Sequence, residues 1–303
     1  MMKKINVIVP LSRPKMLVNV IGNFERQSYP NKSLVIVQNG PGLGACQRLG
    51  FEPDVLIDIG KAHQSTAKNS ALEYLRSRGE SYFATFDDDD YYGPSYLEGI
   101  ADGFNRGFDV VGKSAIFVRY SDGRMHYLEQ EGDLCRVDLV NGPTISGAIT
   151  ADTPLFKEFI WGEDNDWVSM VRAMGAKIWA SSRHGFCWMR HAAHEHNHTY
   201  RITDAGLENM TRALGPVYDC GMFDELVVNG VVEPSRFDRM PEQELSMDLH
   251  PVAQLWKEQK DDIHGIYSNR SGPPNDDHLE QQCERADDVH GVPALVDCNS
   301  PQL

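Results

Sequence analysis

The chain has 303 residues, 41% hydrophobic and 9% aromatic, with a formal charge of −15 and an isoelectric point near 5.1. That length and apolar content allow one large domain, or a core domain with an appendage. The acidity disfavours a nucleic-acid backbone or an anionic membrane as partner, because both carry the same sign of charge.

No stretch is long and apolar enough to span a bilayer, and the run after Lys3-Lys4 is too short for a signal peptide. Cysteines stand at 46, 135, 187, 220, 283 and 298 with no CxxC pair. That scatter fits reduced thiols and a cytoplasmic protein better than a disulfide framework or zinc ribbon.

Ile5–Val9 reads as a buried strand ending at Pro10. Pro14 suits a first helical turn, and Leu17, Val20, Ile21 and Phe24 follow at helical spacing. Leu34–Val37 and Val55–Ile59 are further strands. Between them lies the turn Asn39-Gly40-Pro41-Gly42. Residues 65–78 read as a helix with Ala71, Leu72 and Leu75 inward, closed by Gly79. Tyr82–Phe86 is a fourth strand, and Asp87-Asp88-Asp89-Asp90 follow it directly.

Strands alternate with helices from residue 5 to about 112, which predicts an α/β, doubly wound, mostly parallel sheet. Ligands of such sheets bind beyond the C-terminal strand ends. Pro10–Arg13, Gln38–Gly40 and the four aspartates fall there. Phe117–Tyr120 and Met125–Leu128 flank Ser121-Asp122-Gly123-Arg124 as a hairpin. Trp167, Met170, Val171 and Met174 form a helical stripe ending at Gly175, and Ile178–Ala180 reads as a strand. We expect a domain over 1–240, divided near 112 into two halves, the strand–helix alternation giving way there to a different pattern. Residues 241–303, with 13 acidic against 4 basic residues, read as an acidic appendage, partly helical near Val252–Lys260 and partly disordered.

Four segments carry candidate chemistry, each with a plain structural alternative. The aspartate run is a solvated loop or a site for Mg²⁺ or Mn²⁺ holding substrate phosphates. Gly162-Glu163-Asp164-Asn165-Asp166 precedes a helix, so Asp164 or Asn165 is an N-cap, or one of the carboxylates is a general base at a pocket. His191, His194, His196 and His198 are surface histidines, a metal site of their own, or a source of one ligand for an aspartate-held metal. Lys68, early in its helix, is solvated or neutralises a phosphate or touches a base.

Together these segments resemble the family 2 glycosyltransferases with the GT-A fold, over roughly residues 4–200. The resemblance lies in NVIVPLSRPKM, the Gln-x-Tyr-Pro of Gln27–Pro30, the Ala-Lys-Asn of 67–69, FATFDDDDYYGPSYLE, WGEDNDWVSMVRAMGAKIWA and MRHAAHEHNHTY. It implies a Rossmann-like nucleotide-sugar half, a smaller acceptor-side β/α region and an inverting, hexosyltransferase-type reaction. Asp89, with Asp87, would hold the metal, and His191 would be a further ligand, with His194, His196 and His198 as rivals. Pro10, Ser12, Arg13, Asn39, Lys68, Asp87 and Asp88 would bind the donor. Asp164 would be the base, with Glu163 orienting it or the acceptor, and Gly147 would line the acceptor cleft.

Where many members carry an aspartate for uracil, this chain reads Gln38-Asn39-Gly40, and an amide offers another donor–acceptor pattern. A UDP-sugar still stands first among donors. The acceptor is a saccharide, lipid carrier, protein or modified base, and homo-oligomerisation is open. A nucleotidyltransferase is a weaker reading, since Pro10–Met16 lacks the glycines of its usual phosphate loop. A non-catalytic sugar- or nucleotide-binding protein is the other.

Overall fold

The computed structural model describes residues 2–40, 44–48, 50–158, 162–191, 204–216 and 223–229. The expectations for His194, His196, His198 and residues 241–303 lie outside them. The first half runs β1 (Ile5–Leu11), α1 (Leu17–Glu25), β2 (Lys32–Gln38), α2 (Ala45–Arg48), β3 (Val55–Asp58), α3 (Gln64–Ser77) and β4 (Tyr82–Thr85). Then come β5 (Tyr91–Tyr92), α4 (Tyr96–Asn105), β6 (Val110–Gly112), β7 (Ala115–Tyr120), β8 (Arg124–Glu129), β9 (Cys135–Val137) and β10 (Ser146–Ala148). The remainder is α5 (Glu163–Ala173), β11 (Ile178–Ala180), β12 (Phe186–Arg190), α6 (Asp204–Glu208) and β13 (Arg212–Pro216).

An eight-stranded sheet is ordered β3-β2-β1-β4-β10-β6-β11-β9. β10 pairs antiparallel with both β4 and β6, and β9 antiparallel with β11; the other strands share one direction. This is the expected doubly wound, mostly parallel α/β sheet. Alternation along the strands supplies two apolar faces. Val7, Val9, Leu34, Ile36 and Ala84 meet Leu17 and Val20 of α1 and Leu97, Ile100 and Phe104 of α4. Ile8, Val35, Val37, Phe83 and Val110 meet Ala71, Leu72 and Leu75 of α3 and Trp167, Val168 and Val171 of α5. A second sheet, β13-β8-β7-β12-β5, contains the expected hairpin as β7 and β8.

Three features depart from expectation. The first strand runs through Pro10 to Leu11. Ile8 O accepts from Phe86 on the β4 side, so Pro10, two residues on, also faces that side. The β1–β4 register ends at Ile8 with Thr85, so the N–H that proline lacks has no ladder to serve. The two halves also interleave: β10 and β11 complete the large sheet, while β5 joins the small one. Gly147, expected in a cleft, is buried inside β10, where a Cβ would stand 2.7 Å from Cε1 of Phe83. Among the described residues no helix is long and apolar enough to cross a membrane.

Candidate active site

The aspartate turn follows β4 because the strand ends there and aromatic packing closes it. The Phe86 and Tyr92 rings on either side of the run stack at 3.8 Å and 4°. Tyr92 OH accepts from the Asp87 amide at 2.8 Å and donates to Pro143 O at 2.7 Å. Asp88 and Asp90 are 3% and 2% exposed. Carboxylate oxygens of Asp87, Asp89 and Asp90 lie within 4.8 Å of one another. Arg13, two residues past the end of β1, is ion-paired with Asp88 and with Asp89, the latter at 2.7 Å.

Such crowding should resist ionisation, and the titration tendencies agree. Burial first, then Asp164, Asp89 and Asp88 against the opposing pull of Lys68, push Asp87 up to about 7. Burial raises Asp88 to about 6 although Arg13 opposes it. Burial and the charges of Asp89 and Asp87 hold Asp90 well above the ordinary carboxylate range. Burial alone would lower Arg13, but Asp88 and Asp89 outweigh it and raise the guanidinium.

The cluster suits a hard divalent cation. Its donors are carboxylate oxygens, the ligand type of Mg²⁺ and Mn²⁺. Asp90 Oδ2 is buried without a hydrogen-bond partner among the described residues. An orphaned buried oxygen beside two more carboxylates is costly unless a cation joins them. Asp90, to which the sequence assigns no role of its own, thus completes the group with Asp87 and Asp89. His191 reaches the same turn by another contact, Nε2 lying 3.1 Å from the carbonyl O of Asp89. Pairing with a carbonyl places the proton on that nitrogen.

Across the site, α5 begins at Glu163 with Gly162 as its N-cap, so neither Asp164 nor Asn165 is the cap. Asp164 sits in the first turn, where the helix dipole favours a negative charge. Lys68 Nζ donates to Asp164 Oδ1 at 2.6 Å and stands 3.8 Å from Glu163. Lys68 and Glu163 side chains are 1% and 3% exposed, whereas Asp164 keeps 17%. Glu163 is further held by Gln64 Nε2. Burial would lower the Lys68 ammonium, but Asp164, Asp87 and Glu163 raise it. The Gly142 backbone closes on the far side: a Cβ there would lie 2.8 Å from Asp164 Oδ2. The structure thus puts Lys68 beside Asp164 and Glu163, an arrangement that reading it as a phosphate or base ligand did not anticipate.

The other strand-end residues frame the opening. Pro10 is buried and Ser12 exposed. Gly40 packs on the Ser12 backbone, where any Cβ would fall 2.0 Å from Ser12 O, so the β1 and β2 ends are drawn together only with glycine there. Asn39 donates to Ala62 O at 3.1 Å, and its buried Oδ1 has no partner among the described residues. Asn69 exchanges bonds with the backbone of Phe156, at 2.8 and 2.7 Å, and so anchors the segment before α5.

No protein-family model matches the chain, and no curated protein sequence matches it. Among solved structures, residues 1–349 of S. aureus TarS are similar with 17% identity over 61% of this chain and 60% of that one, at a TM-score of 0.48. The same TarS fragment in complex with UDP has 17% identity over 61% and 60%, at a TM-score of 0.46. The mannosyltransferase PcManGT from Pyrobaculum calidifontis, in complex with GDP-Man and Mn²⁺, has 14% identity over 64% of this chain and 57% of that one, at a TM-score of 0.44. This chain therefore spans less than two thirds of the length of each of these three chains.

Proposed function

We propose that the protein is a metal-dependent, inverting glycosyltransferase that moves one sugar from a nucleotide-sugar to an acceptor hydroxyl. The observation that carries this reading is the meeting, at the C-terminal edge of the parallel strands of the large sheet, of an oxygen-rich acidic turn with a partly exposed aspartate on a buried lysine. Asp87, Asp89 and Asp90 would hold Mn²⁺ or Mg²⁺, with His191 steadying the turn. When bound, the cation would neutralise the diphosphate as it leaves.

The chain's own residues do the rest. Arg13, paired with Asp88 and Asp89, lies where it can exchange a carboxylate for a phosphate oxygen. Asn39 Oδ1 is an acceptor suited to a base with a ring N–H, as uracil has. Asp164 takes the acceptor's hydroxyl proton while that oxygen attacks the anomeric carbon. The bond from that carbon to the diphosphate breaks on the opposite face, so the configuration inverts. Glu163, buried against Lys68 and Gln64, orients Asp164 rather than reaching solvent.

A thermal-shift screen of nucleotide-sugars with Mn²⁺ tests the reading. A donor at 100 times its Kd should add about 2.7 kcal/mol of stability. In Asp89→Ala the shift should vanish for Mn²⁺ and donor alike. If no nucleotide-sugar shifts the melting point with Mn²⁺ present, donor binding at this edge is wrong.

The raised carboxylates also set a pH dependence. Asp87 moves from 3.8 up to about 7, so between those values the folded metal-free protein binds more protons than the unfolded chain. Its contribution therefore makes stability fall as pH rises through that window and level off above about 7. Mn²⁺ requires the deprotonated carboxylates. The melting-point increment from Mn²⁺ should accordingly grow from pH 5 to pH 7.5; a flat increment would separate these carboxylates from the cation.

A further inference from the structure

The aspartate turn is gripped from behind by three amides on one face of the first helix and the residues just beyond it. Asn19 Nδ2 donates to Asp88 O at 2.9 Å and to Asp90 O at 3.0 Å. Asn23 Nδ2 donates to Asp90 O at 2.8 Å, and its Oδ1 accepts from the Tyr92 amide at 3.0 Å. Gln27 Nε2 donates to Tyr92 O and Gly93 O at 3.1 and 2.9 Å, and its Oε1 accepts from the Leu97 amide at 3.1 Å. The spacing 19, 23, 27 puts the three amides in a row, one turn apart. Asn23 and Gln27 are 1% and 4% exposed, so they are polar groups kept inside the fold.

Burying amides is costly unless each finds partners. A helix meant only to pack on the sheet would carry apolar residues at these places, as Leu17 and Val20 do. The amides instead satisfy the backbone of the turn at Asp88–Asp90, and of Tyr92 and Gly93 where the turn runs into β5. With His191 on Asp89 O, the carbonyls of Asp88, Asp89 and Asp90 are all engaged. The backbone is thereby fixed, and each aspartate side chain leaves it in a set direction.

We infer that Asn19, Asn23 and Gln27 are positioning residues for the cation site: a side-chain amide row that holds the backbone of residues 88–93 so that the carboxylates of Asp87, Asp89 and Asp90 converge before any cation arrives. This rests on the cation reading of the acidic turn. It predicts more than stabilisation. Groups that orient ligands typically cost about 10- to 100-fold in metal affinity when removed.

The test is Mn²⁺ affinity by titration calorimetry on the full chain. Asn19 is only half-buried, so Asn19→Ala should fold, and its Mn²⁺ affinity should fall about tenfold or more. Val20→Ala, on the same helix but in the apolar core, should lower the melting point while leaving Mn²⁺ affinity unchanged. Gln27→Leu should weaken Mn²⁺ less than Asn19→Ala, because it touches the turn beyond the aspartates. If Asn19→Ala binds Mn²⁺ like the unsubstituted protein, or if Val20→Ala weakens it equally, the amides are ordinary structural groups and the inference is overturned. If the unsubstituted protein gives no Mn²⁺ isotherm, the cation reading falls and takes the inference with it.

Discussion

Asp164→Asn is expected to lower turnover by about 10²- to 10⁴-fold, the usual worth of a general base, while donor and Mn²⁺ affinity stay within about twofold. The substitution is nearly isosteric. An asparagine oxygen still accepts from Lys68 Nζ, which now stands 2.6 Å from Asp164 Oδ1, so the local geometry should persist. What is lost is the capacity to take a proton. Glu163 cannot stand in, because its side chain is 3% exposed and held by Lys68 and Gln64, whereas Asp164 keeps 17%. Steady-state transfer with the donor found by thermal shift, alongside calorimetry of donor binding, makes the check. Retention of more than a tenth of the turnover would remove Asp164 from the base's role. A matching collapse of donor affinity would instead place it in the donor site.

The parts of this site differed in how far the sequence exposed them. Val7 to Val9, Leu34 to Val37 and Tyr82 to Phe86 are β-prone, largely apolar runs, so their strands, and the edge where they end, could be read directly, although β1 runs on through Pro10 to Leu11. The three-residue strands β9 and β10 carry no period at that length, and only sheet pairing makes them strands. β10 in particular enters the sheet between β4 and β6 from a distant part of the chain.

At the site, the acidic turn announced itself by composition, but which carboxylates converge did not follow from order. Arg13 pairs with both Asp88 and Asp89, yet only Asp89 converges with Asp87, and Asp90 rather than Asp88 joins them. Lys68 and Asp164 lie 96 residues apart, and nothing local to either marks the other as partner. Asn19, Asn23 and Gln27 do stand at helical spacing. Amides at that spacing usually lie on a solvated face, so the pattern gave no warning that this face is buried.

Lys68→Met is expected to be the most damaging single substitution to stability, because it strips the cation from a group of carboxylates. Lys68 is paired with Asp164 and Glu163 and acts electrostatically on Asp87. Methionine nearly fills the volume and would keep the contact with the Phe156 ring, which Nζ now faces at 5.2 Å, so packing is not what changes. Removing one member of a buried ion pair typically costs about 3–5 kcal/mol. At about 2–4 °C per kcal/mol for a domain of this size, the melting point should drop by roughly 10 °C. Adding Asp164→Asn should recover part of that loss, since it removes one of the unpaired charges; sites in contact are not additive. Lys68→Arg should retain more stability than Lys68→Met because it keeps the charge, though its broader head crowds Phe156. The same variants separate two roles for the lysine. If Lys68 met a donor phosphate, Lys68→Met would weaken donor binding tenfold or more with little change in melting, and Asp164→Asn would rescue nothing. If it holds the base, stability and turnover fall together, donor affinity moves less, and the double variant melts higher than Lys68→Met alone.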